Sequence, residues 1–261
     1  MAIKALWKFI GERFPLPVTV PFTAVMVLGT SRWLADDVGR ETPLCLLRTF
    51  LAFLMLRIAD DLSELDLDRR GKPGRGLCSG AICEKSLTRG LWALSLCFLA
   101  MTRGNPGDIP LVFGFIGYAL YYRIKAKIPF FLRTFFVNAI FFLFPVYVSL
   151  LAGSDVSRLP LILGSFLWMS AVAHEYTHSL ADGEIRRIKY GGYFSMRTQA
   201  ILGTMGFFLA LLFALLFAIT TAKQPVLFAL APWSLVMFVL CARLIADPSP
   251  SNAKPFHIHG F

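Results

Sequence analysis

The sequence predicts an all-helical bundle that crosses a membrane several times, and three observations predict it. The chain has 261 residues, of which 56% are hydrophobic and only 16% charged, where a soluble domain carries about 25% charged residues. Its mean hydropathy is +0.64. Its apolar residues gather into stretches of membrane-spanning length, separated by short basic loops. An ordinary cytosolic enzyme is excluded, and so is a disordered chain, which needs low hydrophobicity and high charge. The net charge of +10 does not argue for nucleic acid, because loops between apolar segments use basic residues to set topology.

Eight apolar segments follow one another, at residues 15–33, 43–60, 87–102, 109–123, 130–152, 159–181, 199–221 and 225–245. Pro43, Pro110, Pro129, Pro160 and Pro225 stand near segment starts, where a missing N–H costs a helix little. The third and fourth segments are short. The basic N-terminus leads into an apolar run without a small-residue cleavage site, so the first segment is expected to be retained. The five cysteines suggest no disulfide framework: Cys45, Cys97 and Cys241 sit in apolar context, and Cys78 and Cys83 have no matching partner pair.

Lysine and arginine fix the sidedness. The N-terminus and the loops after the second, fourth, sixth and eighth segments hold 19 of the 26 basic residues. The other side holds Arg32, Arg40, Arg48, Arg103, Arg158 and Lys223, and Arg57 lies within the second segment. The bias places both termini and the even-numbered loops in the cytoplasm. Residues 1–246 are expected to form one transmembrane domain. Residues 247–261 are expected to be a flexible tail, with His257 and His259 solvated.

The second segment ends in a run of charge. Asp60, Asp61, Glu64, Asp66 and Asp68 are followed by Arg69, Arg70, Lys72 and Arg75. Five acids in nine residues at a membrane surface need cations to neutralise them. On a helix Asp61, Glu64 and Asp68 share one face, with Asp60 near Glu64. Carboxylates in this array are hard ligands suited to Mg²⁺, which takes phosphate oxygens as co-ligands. The basic run holds the same anion from the other side. Together they point to a Mg²⁺–diphosphate site whose apolar ligand tail lies in the bilayer; the competing reading is a solvated, charge-laced helix end.

The segment resembles the first aspartate-rich motif of the UbiA superfamily of intramembrane prenyltransferases, N/D-D-x-x-D-x-x-x-D-R followed by K-P-x-R and Ser-Gly. Asp60 stands for the usual Asn, Asp61 matches, Glu64 replaces the middle Asp, and Asp68 matches. Arg69, Lys72, Pro73, Arg75, Ser79 and Gly80 follow in register. Tyr122 and Lys125 resemble the family's Tyr-x-x-Lys segment. The resemblance implies an isoprenyl diphosphate substrate, a lipophilic acceptor and a helical bundle around a central cavity. The chain departs from the family in showing eight segments rather than nine. Asp60-Asp61-Leu62-Ser63-Glu64 also looks like the metal motif of class I terpene cyclases, an activity the resemblance leaves open.

The sixth segment ends in a second cluster, with Glu175, His178 and Asp182 at the same three-then-four spacing and Arg186, Arg187 and Lys189 beyond. The resemblance implies a second acidic motif here, facing the first; His178 stands where an Asp is expected, which weakens hard-ion binding. His174-Glu175-x-x-His178 also spells the helical zinc signature of metalloproteases, a reading that leaves the first motif unexplained.

The chain has 25 Phe residues, most of them expected to pack the core or face lipid. Tyr118, Tyr121, Tyr122 and Tyr147 are candidate cavity residues, since a buried hydroxyl wants a partner, and Asn138 within the fifth segment is expected to face inward. The sequence therefore predicts a membrane-embedded, Mg²⁺-dependent enzyme of the UbiA type. Asp60, Asp61, Glu64 and Asp68 would hold metal, with Glu175, His178 and Asp182 in a second shell. Lys72, Arg75, Lys125, Arg186, Arg187 and Lys189 would hold diphosphate, and Tyr118, Tyr122, Asn138 and Tyr147 would line the cavity.

Overall fold

The computed structural model describes residues 2–34, 39–154, 157–181, 195–221 and 224–256. Among these residues no strand occurs, and every apolar segment of the sequence is helical. The helices are α1 (Ala2–Arg13), α2 (Leu16–Leu34), α3 (Thr42–Ser63), α4 (Leu65–Gly71), α5 (Glu84–Ala100) and α6 (Asp108–Ile124). They continue with α7 (Phe130–Val137), α8 (Ala139–Leu151), α9 (Arg158–Ala181), α10 (Met196–Thr221), α11 (Gln224–Ala246) and α12 (Pro250–Ala253).

By length and apolarity, three described helical stretches suffice to cross a membrane: Gly39–Ser63, Leu132–Leu151 and Met196–Thr221. A fourth is added if α1 and α2, bent by 81° at their junction, count as one crossing. The eight crossings expected from the sequence are not reached by this measure. Helices α5 and α6 have 17 residues each; at 1.5 Å per residue they are about 25 Å long, short of a hydrocarbon core of about 30 Å. Their outer faces are nonetheless apolar. Ile109, Phe113, Ile116 and Leu120 form an exposed stripe on α6, and Met205, Phe208, Leu212 and Ile219 form another on α10. Such stripes at helical spacing suit contact with lipid rather than water.

The chain divides into two compact units, Met1–Tyr122 with Tyr147–Ser154, and Arg123–Val146 with Asp155–Phe261. The first unit is built on α3. One of its cores joins Phe9, Ile10 and Phe14 from the N-terminus to Leu54, Ile58, Leu65, Leu77, Ile82 and Leu87. The acidic end of α3, α4, the loop after it and the start of α5 are thereby packed as one body with α1. Towards the other end of α3, Arg48 is 1% exposed. Its Nη1 lies 2.9 Å from Asp108 Oδ1, and its Nη2 donates to the Met101 carbonyl. Asp108 Oδ2 in turn accepts the N–H groups of Arg103 and Asn105, at 2.6 and 3.1 Å. This buried pair ties α3 to the end of α5 and the start of α6.

The second unit packs α9 closely on α10 through small side chains. A Cβ added at Gly206 would lie 2.8 Å from Ala173 Cβ, and one at Gly203 would lie 2.9 Å from Thr177 Cγ2. Close approach at small residues is the usual way membrane helices gain van der Waals contact. Tyr176, Met169, Val172 and Ala210 fill the space beside this seam, and Trp168 Nε1 donates to the Phe135 carbonyl at 2.8 Å. The expected flexible tail is packed as far as Phe256. Phe256 is fully buried and stacks on Phe207 with ring centroids 5.3 Å apart, joining a core that includes Leu240, Leu244 and Ala253. Apolar burial holds this segment; His257 and His259 lie outside the described residues.

The α9–α10 seam gives a direct test. Gly206→Ala should lower the stability of the detergent-solubilised protein by about 1–3 kcal/mol, because a packed helix must shift. Gly117→Ala, which meets nothing within 4 Å, should leave the melting temperature unchanged or raise it. Equal melting temperatures for the two variants would contradict the seam.

Candidate functional site

The first acidic motif sits where α3 runs into α4. Glu64 forms the joint, with φ −108° and ψ 6°. The helical hydrogen bonding continues through it: Glu64 N–H donates to the Asp60 carbonyl at 3.1 Å, and Asp68 N–H donates to the Glu64 carbonyl at 2.9 Å. Asp61, Glu64 and Asp68 are thus carried by one nearly continuous helical path, as their spacing predicts.

Each outer carboxylate is held by arginine. Asp61 is 7% exposed. Arg13, at the end of α1, donates to it through Nε at 2.8 Å and Nη2 at 3.2 Å, one bond to each oxygen. Arg57, one turn earlier on α3, adds a third contact at 3.4 Å. A buried carboxylate needs such partners to stay charged. Asp68 pairs with Arg75 across the turn that follows α4. Asp66 is exposed and pairs with Arg69, which also reaches Glu84 at the start of α5. Asp60 is half-buried, and its carbonyl also accepts the Ser63 hydroxyl at 2.8 Å.

The loop from Lys72 to Cys83 is folded by its own backbone and by α1. Lys72 N–H donates to the Asp68 carbonyl at 2.6 Å, Arg75 N–H to the Lys72 carbonyl at 3.1 Å and Ser79 N–H to the Arg75 carbonyl at 2.9 Å. Gly80 sits at φ +80°, the left-handed region where glycine has no steric cost. Gly76 N–H donates to Glu12 Oε1 at 2.7 Å; a Cβ there would strike the same carboxylate and crowd Ile82. Lys8 Nζ donates to the Ala81 carbonyl at 3.1 Å.

Tyr122, at the end of α6, donates to the Leu56 carbonyl on α3 at 3.3 Å and lies within electrostatic reach of Asp60 and Glu64. Its ring packs edge-on against Tyr121, which does the same against Tyr118. The Tyr118–Tyr122 stretch therefore borders the carboxylate end of α3. Tyr147 does not share this place. It lies beside Cys45 and Arg48, and Arg48 precedes Asp61 by 13 positions, about 20 Å along a helix. Asn138 ends α7, its Nδ2 donating to the Thr134 carbonyl at 2.9 Å, so it serves the break between α7 and α8. Lys125 lies in a short 3₁₀ turn of the second unit.

The second motif is described only in part. Glu175 is exposed on α9, and the rings of His174 and His178 lie 5.9 Å apart on one face. Asp182, Arg186, Arg187 and Lys189 lie outside the described residues. Among the described residues no three His, Cys, Asp or Glu side chains converge as a ready metal cage. The α3–α4 donors nevertheless suit a hard cation by chemistry, since they are all carboxylate oxygens with no thiol or imidazole among them. A cation arriving there would take oxygens that guanidinium groups now hold.

The model of the UbiA prenyltransferase family matches residues 18–260 of the chain. The chain belongs to the UbiA prenyltransferase family. It is accordingly a membrane protein of the prenyltransferase class, in keeping with its apolar helices. A solved structure of digeranylgeranylglyceryl phosphate synthase, described as acting in membranes, shares its fold at a TM-score of 0.67 and 18% identity, over 97% of this chain and 91% of that one. No curated protein gives a significant sequence match.

Arg13, Arg57, Glu12 and Gly76 pack against the acidic motif and its loop, and the motif alone did not single them out. Arg57 carried a signal, because an arginine inside an apolar segment needs a counter-charge and Asp61 lies one turn on. Arg13 carried none beyond its charge, since its contact spans 48 positions.

Cysteine labelling checks the loop. Cys83 is exposed, and hydrogen bonding to the Ser86 hydroxyl lowers its thiol pKa below the usual value. Burial beside the Asp68 carboxylate raises that of Cys78. At pH 7.5, an ordinary working pH, Cys83 should be alkylated first and Cys78 well after it, as read by peptide mass spectrometry. The reverse order would place the loop differently.

Proposed function

We propose that this family member ionises an isoprenyl diphosphate with the help of a bound Mg²⁺ and transfers the prenyl group to a lipophilic acceptor. The observation that carries the reading is the charge arrangement at the end of α3. Asp61 and Asp68 are each held by an arginine from a neighbouring segment, so acid and base alternate around one mouth. Asp61, Glu64 and Asp68, with Asp60 nearby, are the residues that would hold the metal. Such a cation supplies charge stabilisation to the departing diphosphate.

The chain's own residues do the remaining work. Lys72 and Arg75 lie in the ordered turn after α4 and offer donors to diphosphate oxygens. Arg75 is already oriented by Asp68. Lys125, Arg186, Arg187 and Lys189 extend the basic set in this reading, and Glu175, His178 and Asp182 contribute the second, weaker shell. Tyr118 and Tyr122 would line the cavity in this reading, where aromatic quadrupoles stabilise a developing allylic cation. The apolar surroundings keep water from quenching it. The site opens to the cytoplasm, as the basic loops predict.

The test is to supply purified protein with Mg²⁺ and geranyl, farnesyl or geranylgeranyl diphosphate, with and without a pool of lipophilic acceptors. Diphosphate release should depend on the acceptor. Asp61→Asn and Asp68→Asn should each reduce it by at least about 100-fold, as loss of transition-state charge stabilisation predicts. Near-normal turnover in either variant would remove the metal assignment. A cyclic terpene formed without acceptor would replace transfer by cyclisation, the activity that Asp60-Asp61-Leu62-Ser63-Glu64 also fits.

A further inference from the structure

We propose that Glu12 is a positioning residue for the basic turn after α4. By holding Gly76 it sets how tightly the chain binds an isoprenyl diphosphate. The inference rests on the reading of Lys72 and Arg75 as diphosphate donors, and it gives a role to α1, which precedes the family-matched residues 18–260.

Three observations carry it. The peptide unit that joins Arg75 to Gly76 is gripped by both of its polar groups. Its carbonyl accepts the Ser79 N–H at 2.9 Å, and its N–H donates to Glu12 Oε1 at 2.7 Å. The first grip is local to the loop, whereas the second comes from a helix 64 positions away in the chain. The Gly76 carbonyl is held as well, by the Ile82 N–H at 2.8 Å and the Ser79 hydroxyl at 3.3 Å. Arg75 therefore hangs from a backbone unit with little freedom, and its own N–H donates to the Lys72 carbonyl at 3.1 Å.

The second observation is that Glu12 and Gly76 fit as a pair. A Cβ at residue 76 would strike Glu12 Oε2 and lie 3.1 Å from Ile82 Cδ1. The carboxylate comes this close because glycine leaves the backbone open to it. The third is that α1 is seated by contacts that do not involve Glu12. Phe9 and Ile10 are buried with Leu77 and Ile82, and Lys8 Nζ donates to the Ala81 carbonyl. Glu12 thus offers its oxygen from a helix already packed on the loop.

A loop that must be ordered as it presents donors to a ligand loses affinity to conformational entropy. Glu12 supplies that order beforehand. Its own negative charge works against an anionic ligand, and because Glu12 is exposed that repulsion is screened. Positioning and charge therefore predict effects of opposite sign when Glu12 is changed.

The experiment reads loop position and ligand binding separately, on detergent-purified protein. Loop position is the alkylation rate of Cys78, which packs partly buried against the same core, relative to that of exposed Cys83. Ligand binding is the Kd of farnesyl and geranylgeranyl thiolodiphosphates, unreactive analogues, in the presence of Mg²⁺. Glu12→Ala should speed Cys78 labelling by about threefold or more, as local opening becomes easier. It should weaken thiolodiphosphate binding about fivefold to tenfold, as loss of one hydrogen bond to a charged group predicts. Glu12→Gln removes the charge but keeps an acceptor oxygen, and should stay within about twofold of wild type in both readouts. Gly76→Ala should resemble Glu12→Ala, the two together should be less than additive, and it secures the comparison if Glu12→Ala is unstable.

A wild-type Cys78 rate in Glu12→Ala, equal weakening by Glu12→Ala and Glu12→Gln, or tighter binding in both overturns the positioning role. Lys72→Gln and Arg75→Gln test the reading beneath it. If they weaken thiolodiphosphate binding and Glu12→Ala does not, the diphosphate reading of the turn stands and the inference falls. If both bind at wild-type strength, or the wild type binds no thiolodiphosphate, the reading falls and the inference with it.

Discussion

A carboxylate at the end of an apolar helix must be neutralised or solvated, and Asp61 is largely denied water. Its two arginines answer that requirement from different directions, Arg57 from the same helix and Arg13 from the N-terminal helix. The need to deliver Arg13 explains much of the first unit. Helix α1 must lie against the end of α3, which requires the 81° bend before α2. It must also bury Phe9 and Ile10, which requires Leu77, Ile82 and Leu87 to form the opposing wall. The loop after α4 is consequently a load in the same core that positions the carboxylates, and its order serves Lys72 and Arg75 directly.

The arginine pairs also balance the acidic run. A row of carboxylates without cations would repel itself. Here Asp61, Asp66 and Asp68 are each paired with a guanidinium.

Much of this was legible in the chain. Apolar segment length gave the helices, and the three-then-four spacing placed Asp61, Glu64 and Asp68 on one path. The K-P-x-R run was read as basic residues that would hold diphosphate; the structure pairs its Arg75 with Asp68. What escaped the sequence depended on contacts between distant residues. The Arg13–Asp61 and Glu12–Gly76 contacts have no local period to betray them. Tyr147 was grouped with the other tyrosines by composition, yet packing puts it beside Cys45 and Arg48. Asn138 was read as a polar group facing inward, whereas its side chain serves a helix break. The tail after Asp247 looked loose because it is rich in Pro and Ser, but a single aromatic, Phe256, was enough to anchor it on Phe207.

The position of α1 has a consequence for how the protein is made. Its partners lie 48, 64 and 73 residues downstream, and contacts of such separation form only after the intervening chain exists. During synthesis α1 emerges before α2 and α3, which must be made before Asp61, Gly76 and Ala81 are available to receive it. An amphipathic helix with Trp7 and Ile3 exposed on one side has an interim resting place on the membrane surface. Arg13 can therefore meet Asp61 only once the ribosome has passed the acidic motif, and the wall that α1 docks against is complete only once Leu87 at the start of α5 has been made.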